Sequence, residues 1–181
     1  MKPPEVRVLA GRWKGRRLEA GSAARPTSAK ARQALFNILG ARIAGARVLD
    51  LYAGSGAVGI EAVSRGAASA VLVETDGMPL RRSLDRIGAG EGELRVVAAS
   101  VAAAVAALER AGERFDLVFA DPPYAPEPDP AVLEAAARLL RGGGDLVLQR
   151  DKGTTAPHLP GVALDERREY GRNVFFFYGM R

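Results

Sequence analysis

The tetrapeptide Asp121-Pro122-Pro123-Tyr124 sets a carboxylate, a rigid Pro-Pro step and an aromatic ring side by side. It follows the apolar run Phe115 to Ala120, which reads as a buried strand. Two prolines can continue neither a sheet ladder nor a helix, so the chain must leave the sheet here. An acid and a ring at the C-terminal end of a strand make a platform for a flat, amine-bearing base. The carboxylate can accept the amine's N–H and the ring can stack on the base. A proline-rich loop with no chemistry is the plain alternative, and the residues upstream argue against it.

Gly54-Ser55-Gly56-Ala57-Val58-Gly59 is a G-x-G-x-x-G loop between a predicted strand, Arg47 to Leu51, and a predicted helix, Val58 to Arg65. Glycine allows the sharp turn, and the N–H groups at the helix start face whatever the loop holds. Glu74 ends the next predicted strand, where a carboxylate can accept hydrogen bonds from ribose hydroxyls. An adenosine-type ligand is therefore expected at the strand ends. The candidate contacts are Asp50, Tyr52, Ala53, Gly54, Ser55, Gly56, Glu74, the adjoining Thr75 and Asp121. NAD fits the same pattern. Asp50, just ahead of the loop, would repel a pyrophosphate but suit a cationic amino-acid tail. S-adenosylmethionine has such a tail, a sulfonium and no phosphate. The chain is also short for a dinucleotide fold plus a catalytic domain. S-adenosylmethionine is the expected ligand, with NAD and a purely structural glycine turn as the alternatives.

No G-x-x-x-x-G-K-[ST] loop and no G-x-S-x-G elbow occurs, which argues against nucleoside triphosphatases and serine hydrolases. With no cysteine and one histidine in 181 residues, thiolate zinc sites and histidine clusters are excluded, and no metal is expected. His158 lies in a Pro-flanked stretch expected to be an exposed loop. No apolar run approaches the roughly 18 residues of a membrane span, and the chain opens on Lys2 and two prolines rather than an apolar leader. A soluble, cytoplasmic, monomeric protein is expected.

Charge is uneven. Residues 1–32 hold nine basic and two acidic side chains, so the net +5 of the chain comes wholly from this end. Such a basic arm suggests a polyanion partner, bound through phosphate contacts that carry little sequence information. Val6 to Leu9 and Arg16 to Glu19 read as a short basic β-hairpin, with Trp13 covering it. Thr27 or Ser28 caps a helix whose apolar face is Ala31, Ala34, Leu35, Ile38 and Leu39, with Lys30 and Arg32 opposite.

Thereafter strands and helices alternate: strands at 47–51, 70–74, 94–97, 115–120 and 145–149, helices at 58–65, 79–87, 101–110 and 131–140. Alternation at this spacing predicts an α/β fold with a parallel, doubly wound sheet. Val162 to Tyr170 and Val174 to Tyr178, joined by Gly171-Arg172-Asn173, predict a terminal antiparallel hairpin. The organisation is an N-terminal hairpin and helix extension over 1–40 and the α/β domain over 41–181.

Taken together these residues resemble the RsmD family of bacterial methyltransferases, which act on guanine N2 of small-subunit ribosomal RNA. The resemblance covers Arg7 to Leu18 with Gly11-Arg12-Trp13-Lys14-Gly15-Arg16, then Arg25-Pro26-Thr27, Ala34-Leu35-Phe36-Asn37, Asp50 to Gly59, Glu61 to Ala67, Glu74 with Asp76, and Asp121 to Tyr124. Relatives carry Arg-Glu where Arg32-Gln33 stands here, and many carry Asn or Asp near Ser100. The resemblance implies a class I methyltransferase, Rossmann-like sheet and in-line transfer from S-adenosylmethionine to an exocyclic amine. Asp121 and the Pro122 carbonyl would accept the amine's N–H groups, Pro123 would stiffen the loop and Tyr124 would stack on the base. Ser100 or the Val101 backbone would meet the adenine amine of the cofactor. Arg7, Arg12, Lys14, Arg16, Arg17, Arg25, Thr27, Lys30 and Arg32 would face 16S rRNA, presented in small-subunit particles. An adenine-N6 enzyme, a protein-glutamine methyltransferase (for which Asn would be expected at Asp121) and a non-catalytic RNA-binding module are the rival readings.

Overall fold

Strands buried on both faces are mostly apolar, and here they position everything else. The computed structural model describes residues 5–19, 27–90, 92–123 and 129–180. Strands β1 (Val6–Arg7) and β2 (Arg17–Leu18) pair antiparallel. Helix α1 (Ala29–Leu39) is capped by Ser28, whose Oγ accepts from Ala31 N at 3.2 Å, and stops at Gly40. A 3-10 turn over Gly40–Ile43, not expected from the sequence, leads into the alternating region. There follow β3 (Arg47–Leu51), α2 (Ala57–Ser64), β4 (Ser69–Glu74), α3 (Met78–Ile87), β5 (Leu94–Ala98), α4 (Val101–Arg110), β6 (Phe115–Ala120), α5 (Pro130–Arg138), β7 (Leu140–Asp151), β8 (Ala163–Tyr170) and β9 (Asn173–Gly179).

The last seven strands form one sheet in the order β5-β4-β3-β6-β7-β9-β8. Pairing is parallel from β5 to β7, and β9 runs antiparallel between β7 and β8. The chain winds outward from β3 to β5 and then returns to β6 on the other side of β3. The crevice at the C-terminal ends of β3 and β6 is thus the topological switch point, where such sheets bind ligands.

Alternation assigns each strand residue to a face. Val48, Leu117, Phe119 and Val147 pack with α1, α2, α3 and the β1–β2 hairpin. Leu49, Leu51, Val118, Ala120, Leu146 and Leu148 pack with α4 and α5. The extension predicted over 1–40 therefore shares a core with the sheet: Val6, Val8, Trp13 and Leu18 join Leu35, Phe36 and Ile60 in one cluster. Trp13 is buried, as a hairpin cover should be.

Two differences from expectation have clear causes. Helix α5 ends at Arg138 rather than Leu140, and β7 begins five residues before Asp145. Leu139 and Leu140 are buried beside β6, and Gly142 to Gly144 are absorbed into β7 where its register with β6 shifts. In α1 the inward face is rotated: Arg32 and Phe36 are buried and Ala34 and Ile38 only half-buried.

Candidate active site

The glycine loop joins β3 to α2 at the switch point. Gly54 (φ +54°) and Gly56 (φ +71°) take left-handed conformations that favour glycine. Tyr52 (φ +59°) does so with a side chain, alone among the described non-glycine residues, and such strain concentrates at functional sites. Ala53 N donates to Val73 O at 2.9 Å and Gly56 N to Ala53 O at 2.7 Å, which fixes the turn. Ser55 is buried within it. At Gly59 the reason for glycine is close approach: a Cβ would lie 2.2 Å from Leu72 Cδ2 and 3.2 Å from Asp50 Oδ2.

That approach lets Gly59 N donate to Asp50 Oδ2 at 2.8 Å. Asp50 lies under the loop, 2% exposed. Burial pushes its carboxyl up to about 7, the Gly59 bond opposes this, and the negative charges of Asp121 and Glu74 add to the rise. Glu74, at the end of β4, accepts from Gly54 N at 2.8 Å and Thr75 N at 2.9 Å, one on each oxygen. Glu74 is thereby oriented with lone pairs left for hydroxyls. Ser100 Oγ caps α4 by accepting from Ala103 N at 3.3 Å, and Val101 opens that helix.

Asp121 begins the segment leaving β6. Its Oδ2 accepts from Thr27 Oγ1 and from Gln149 Nε2, both at 3.0 Å. Burial raises its carboxyl to about 6, while the Thr27 bond and the Arg150 charge pull it down and Asp151 pushes it up. Pro122 is buried and Pro123 exposed, and Arg150 Nη1 donates to both carbonyls at 3.3 Å. Tyr124 lies outside the described residues.

Three carboxylates thus gather at one crevice, close enough for two to raise the third. A pyrophosphate there would meet repulsion, whereas a cation between them would favour every ionised form. The glycine turn, the oriented Glu74 and the buried Asp50 have the donor set and charge that suit S-adenosylmethionine.

Residues 6–179 match the family model described as conserved hypothetical protein 95. Ribosomal RNA small subunit methyltransferase D of Escherichia coli K12 is 37% identical over 145 residues, covering 77% of this chain and 69% of the relative. The chain belongs to the RsmD family. The solved structure of a hypothetical protein of Thermus thermophilus superimposes with a TM-score of 0.81 at 39% identity, covering 95% of this chain and 98% of the other. The T. thermophilus 16S rRNA N2 methyltransferase RsmC, solved with AdoMet and guanosine, gives a TM-score of 0.68 at 23% identity, covering 98% of this chain and 50% of that one, and shares the fold. S-adenosylmethionine is the cofactor of this methyltransferase class, and the sheet order found here is its class I arrangement.

In this RsmD-family chain the basic residues do not form one uniform surface. Lys14, Arg16 and Lys30 are exposed. Arg12 stacks over the Trp13 ring at 4.1 Å and pairs with Glu93 at 2.9 Å. Arg7 donates to Gly15 O and Glu5, and Arg17 also pairs with Glu5. Arg25 lies outside the described residues. One expectation needs correction. Arg32 is 2% exposed and donates to Glu61 Oε2 at 3.0 Å and Arg7 O at 2.6 Å, so it is an internal strut that cannot meet a phosphate. Thr27 is half-buried, and its hydroxyl donates to Asp121 Oδ2.

Gln149 and Arg150, which no motif flagged, grip the Asp121 segment. The available signal was two polar residues at the end of an apolar strand. Only the sheet order shows that they sit beside β6.

Proposed function

We propose that this chain transfers a methyl group from S-adenosylmethionine to the exocyclic N2 amine of a guanine in 16S rRNA, acting as a cytoplasmic monomer on small-subunit particles. The observation that carries the reading is the Asp121 carboxylate at the end of β6, with Oδ2 held by two donors and Oδ1 without a partner among the described residues.

The amine of guanine is a poor nucleophile because its lone pair is delocalised into the ring. Oδ1 of Asp121 would accept one amine N–H. The Pro122 carbonyl, which takes Arg150 on one lone pair, keeps a second for the other N–H. These bonds turn the lone pair out of conjugation and aim it across the crevice. When bound, S-adenosylmethionine supplies a methyl carbon whose bonding pair returns to the positive sulfur as the nitrogen attacks. The amine proton then leaves to water or to Asp121. Placement and fixed charge supply the acceleration, with the base first leaving its stack. Lys14, Arg16 and Lys30 would hold the RNA backbone while the target base reaches the crevice.

The support for guanine N2 is the resemblance of the basic hairpin and the Arg25-Pro26-Thr27 segment to RsmD enzymes, beside the similarity to the Escherichia coli small-subunit rRNA methyltransferase. The test is transfer of labelled methyl to small ribosomal subunits lacking the modification, followed by nucleoside analysis. N2-methylguanosine is the expected product. Label in N6-methyladenosine, in DNA or in protein would move the substrate elsewhere, and no label with any acceptor would leave an RNA-binding module.

A further inference from the structure

Strand β7 stays buried after it stops being apolar. Leu146, Val147 and Leu148 are at most 1% exposed, and Gln149 and Arg150 that follow are only 3% and 7% exposed. Buried polar groups need partners. Both find them on the segment leaving β6: Gln149 on Asp121 Oδ2, Arg150 on the Pro122 and Pro123 carbonyls. By alternation Gln149 shares the face of Val147, which is the α1 side of the sheet. From that same side Thr27, just ahead of the Ser28 cap, donates to the same oxygen. Elements from the two ends of the chain thus converge on one carboxylate oxygen.

The Gln149 amide is held at some expense. Its Oε1 is buried without a partner among the described residues, which is unfavourable for an acceptor. Turning the amide over would set Oε1 against Oδ2, two acceptors face to face, so an ionised Asp121 dictates the observed orientation. A residue present only for packing would carry no amide here.

We propose that Gln149 and Thr27 are positioning residues that saturate Oδ2 of Asp121 and thereby present Oδ1 to the substrate amine, an inference that rests on the reading of Asp121 given above. The N-terminal extension then completes the active site through Thr27, besides whatever it contributes to RNA affinity. Donation to Oδ2 also favours the ionised carboxylate, with Arg150 helping and Asp151 opposing.

The test compares the full-length wild type with Asp121→Asn, Thr27→Val, Thr27→Ser, Gln149→Leu and Gln149→Glu, measuring methyl transfer to unmodified small ribosomal subunits and S-adenosylmethionine binding by calorimetry. Thr27→Val and Gln149→Leu should each lower kcat on the order of 10- to 100-fold, as misplacement does. KM for subunits and Kd for S-adenosylmethionine should stay within about twofold, because the variants leave both binding surfaces in place. The acid limb of the kcat profile should move to higher pH as the carboxylate loses a donor. Thr27→Ser keeps the hydroxyl and should recover kcat. Gln149→Glu should be inactive at neutral pH and gain activity as pH falls, since the new carboxyl donates only when protonated. If Thr27→Val and Gln149→Leu keep kcat and the acid limb while Asp121→Asn is dead, positioning is wrong and the role of Asp121 stands. An active Asp121→Asn instead removes the reading of Asp121 itself. If Gln149→Leu fails to fold, the half-buried Thr27 pair decides. A loss that serine does not recover counts against the proposal.

Discussion

Arg32 Nε donates to Glu61 Oε2 at 3.0 Å, and neither side chain is more than 3% exposed. Arg65 takes the other oxygen at 2.6 Å, and Leu9 N adds a bond to Oε2 at 3.3 Å. One buried carboxylate therefore ties α1, α2 and the hairpin together. Beside it Ser64 Oγ accepts from Trp13 N at 3.0 Å and donates to Ala10 O at 2.7 Å, which seats the hairpin on the end of α2. Glu61→Ala should destabilise the protein by about 3–5 kcal/mol, because it leaves two guanidiniums without their anion, one of them fully buried. Arg32→Met combined with Glu61→Leu should cost less than the sum of the two single changes. Urea denaturation of the four proteins measures the coupling.

Gly59→Ala places a methyl group against Leu72 Cδ2 and crowds the Asp50 carboxylate. Leu72 is fully buried in β4 and has little room to yield. Overpacking of this kind should cost about 1–3 kcal/mol, and the shift of α2 should weaken S-adenosylmethionine binding through the attached loop. Adding Leu72→Ala should recover part of the affinity in calorimetric titration. Equal affinity in wild type and Gly59→Ala would mean that the loop does not depend on this contact.

Much of this architecture is legible in the residues. Leu49, Leu51, Val71 and Val73 are apolar because helices cover both faces of their strands, and that pattern is visible without coordinates. Asp121 and the glycine loop announce themselves because prolines and glycines punctuate strand ends. Other features depend on facts that no local pattern holds. Arg32 reads as exposed because a lone arginine in a helix usually is; its partner, Glu61, is 29 residues away on another helix. Gln149 gains meaning only when β7 lies beside β6, and strand order is set by the winding of the whole sheet. Thr27 could be read as a cap or an RNA contact, and only the packing of α1 on the sheet brings it to Asp121.

Burial raises Asp50 to about 7 and Asp121 to about 6, both from 3.8. Each group therefore binds its proton more tightly in the folded than in the unfolded chain. Through these two groups, ligand-free stability is greatest below about pH 4 and falls as pH rises to about 7, with no further change above. Asp50→Asn should remove the larger part of that fall, so the wild-type minus Asp50→Asn difference in melting temperature should grow more negative between pH 5 and 7.5. S-adenosylmethionine carries the opposite charge and should bind more tightly across the same interval as Asp50 ionises. Calorimetry at pH 5.5 and 7.5 reads this directly, and an affinity that does not change with pH would separate Asp50 from the cationic tail.

Charge reversal should distinguish the two kinds of basic residue at the N-terminal end. Lys14 and Arg16 are exposed on the hairpin turn, whereas Arg17 pairs with Glu5 and Arg12 with Glu93 and the Trp13 face. An arginine already paired with a carboxylate displaces fewer counterions when it meets a phosphate, so it contributes less to salt-dependent affinity. Lys14→Glu with Arg16→Glu should therefore weaken binding to 16S rRNA and lower the slope of log K against log salt by about one per lost phosphate contact. Arg17→Glu should change that slope less. Both proteins should bind S-adenosylmethionine as the wild type does, since the hairpin packs on the far end of α2, at Ser64, away from the glycine loop at its start. Filter binding at several salt concentrations measures the slopes, and identical slopes for all three proteins would place the RNA on another face.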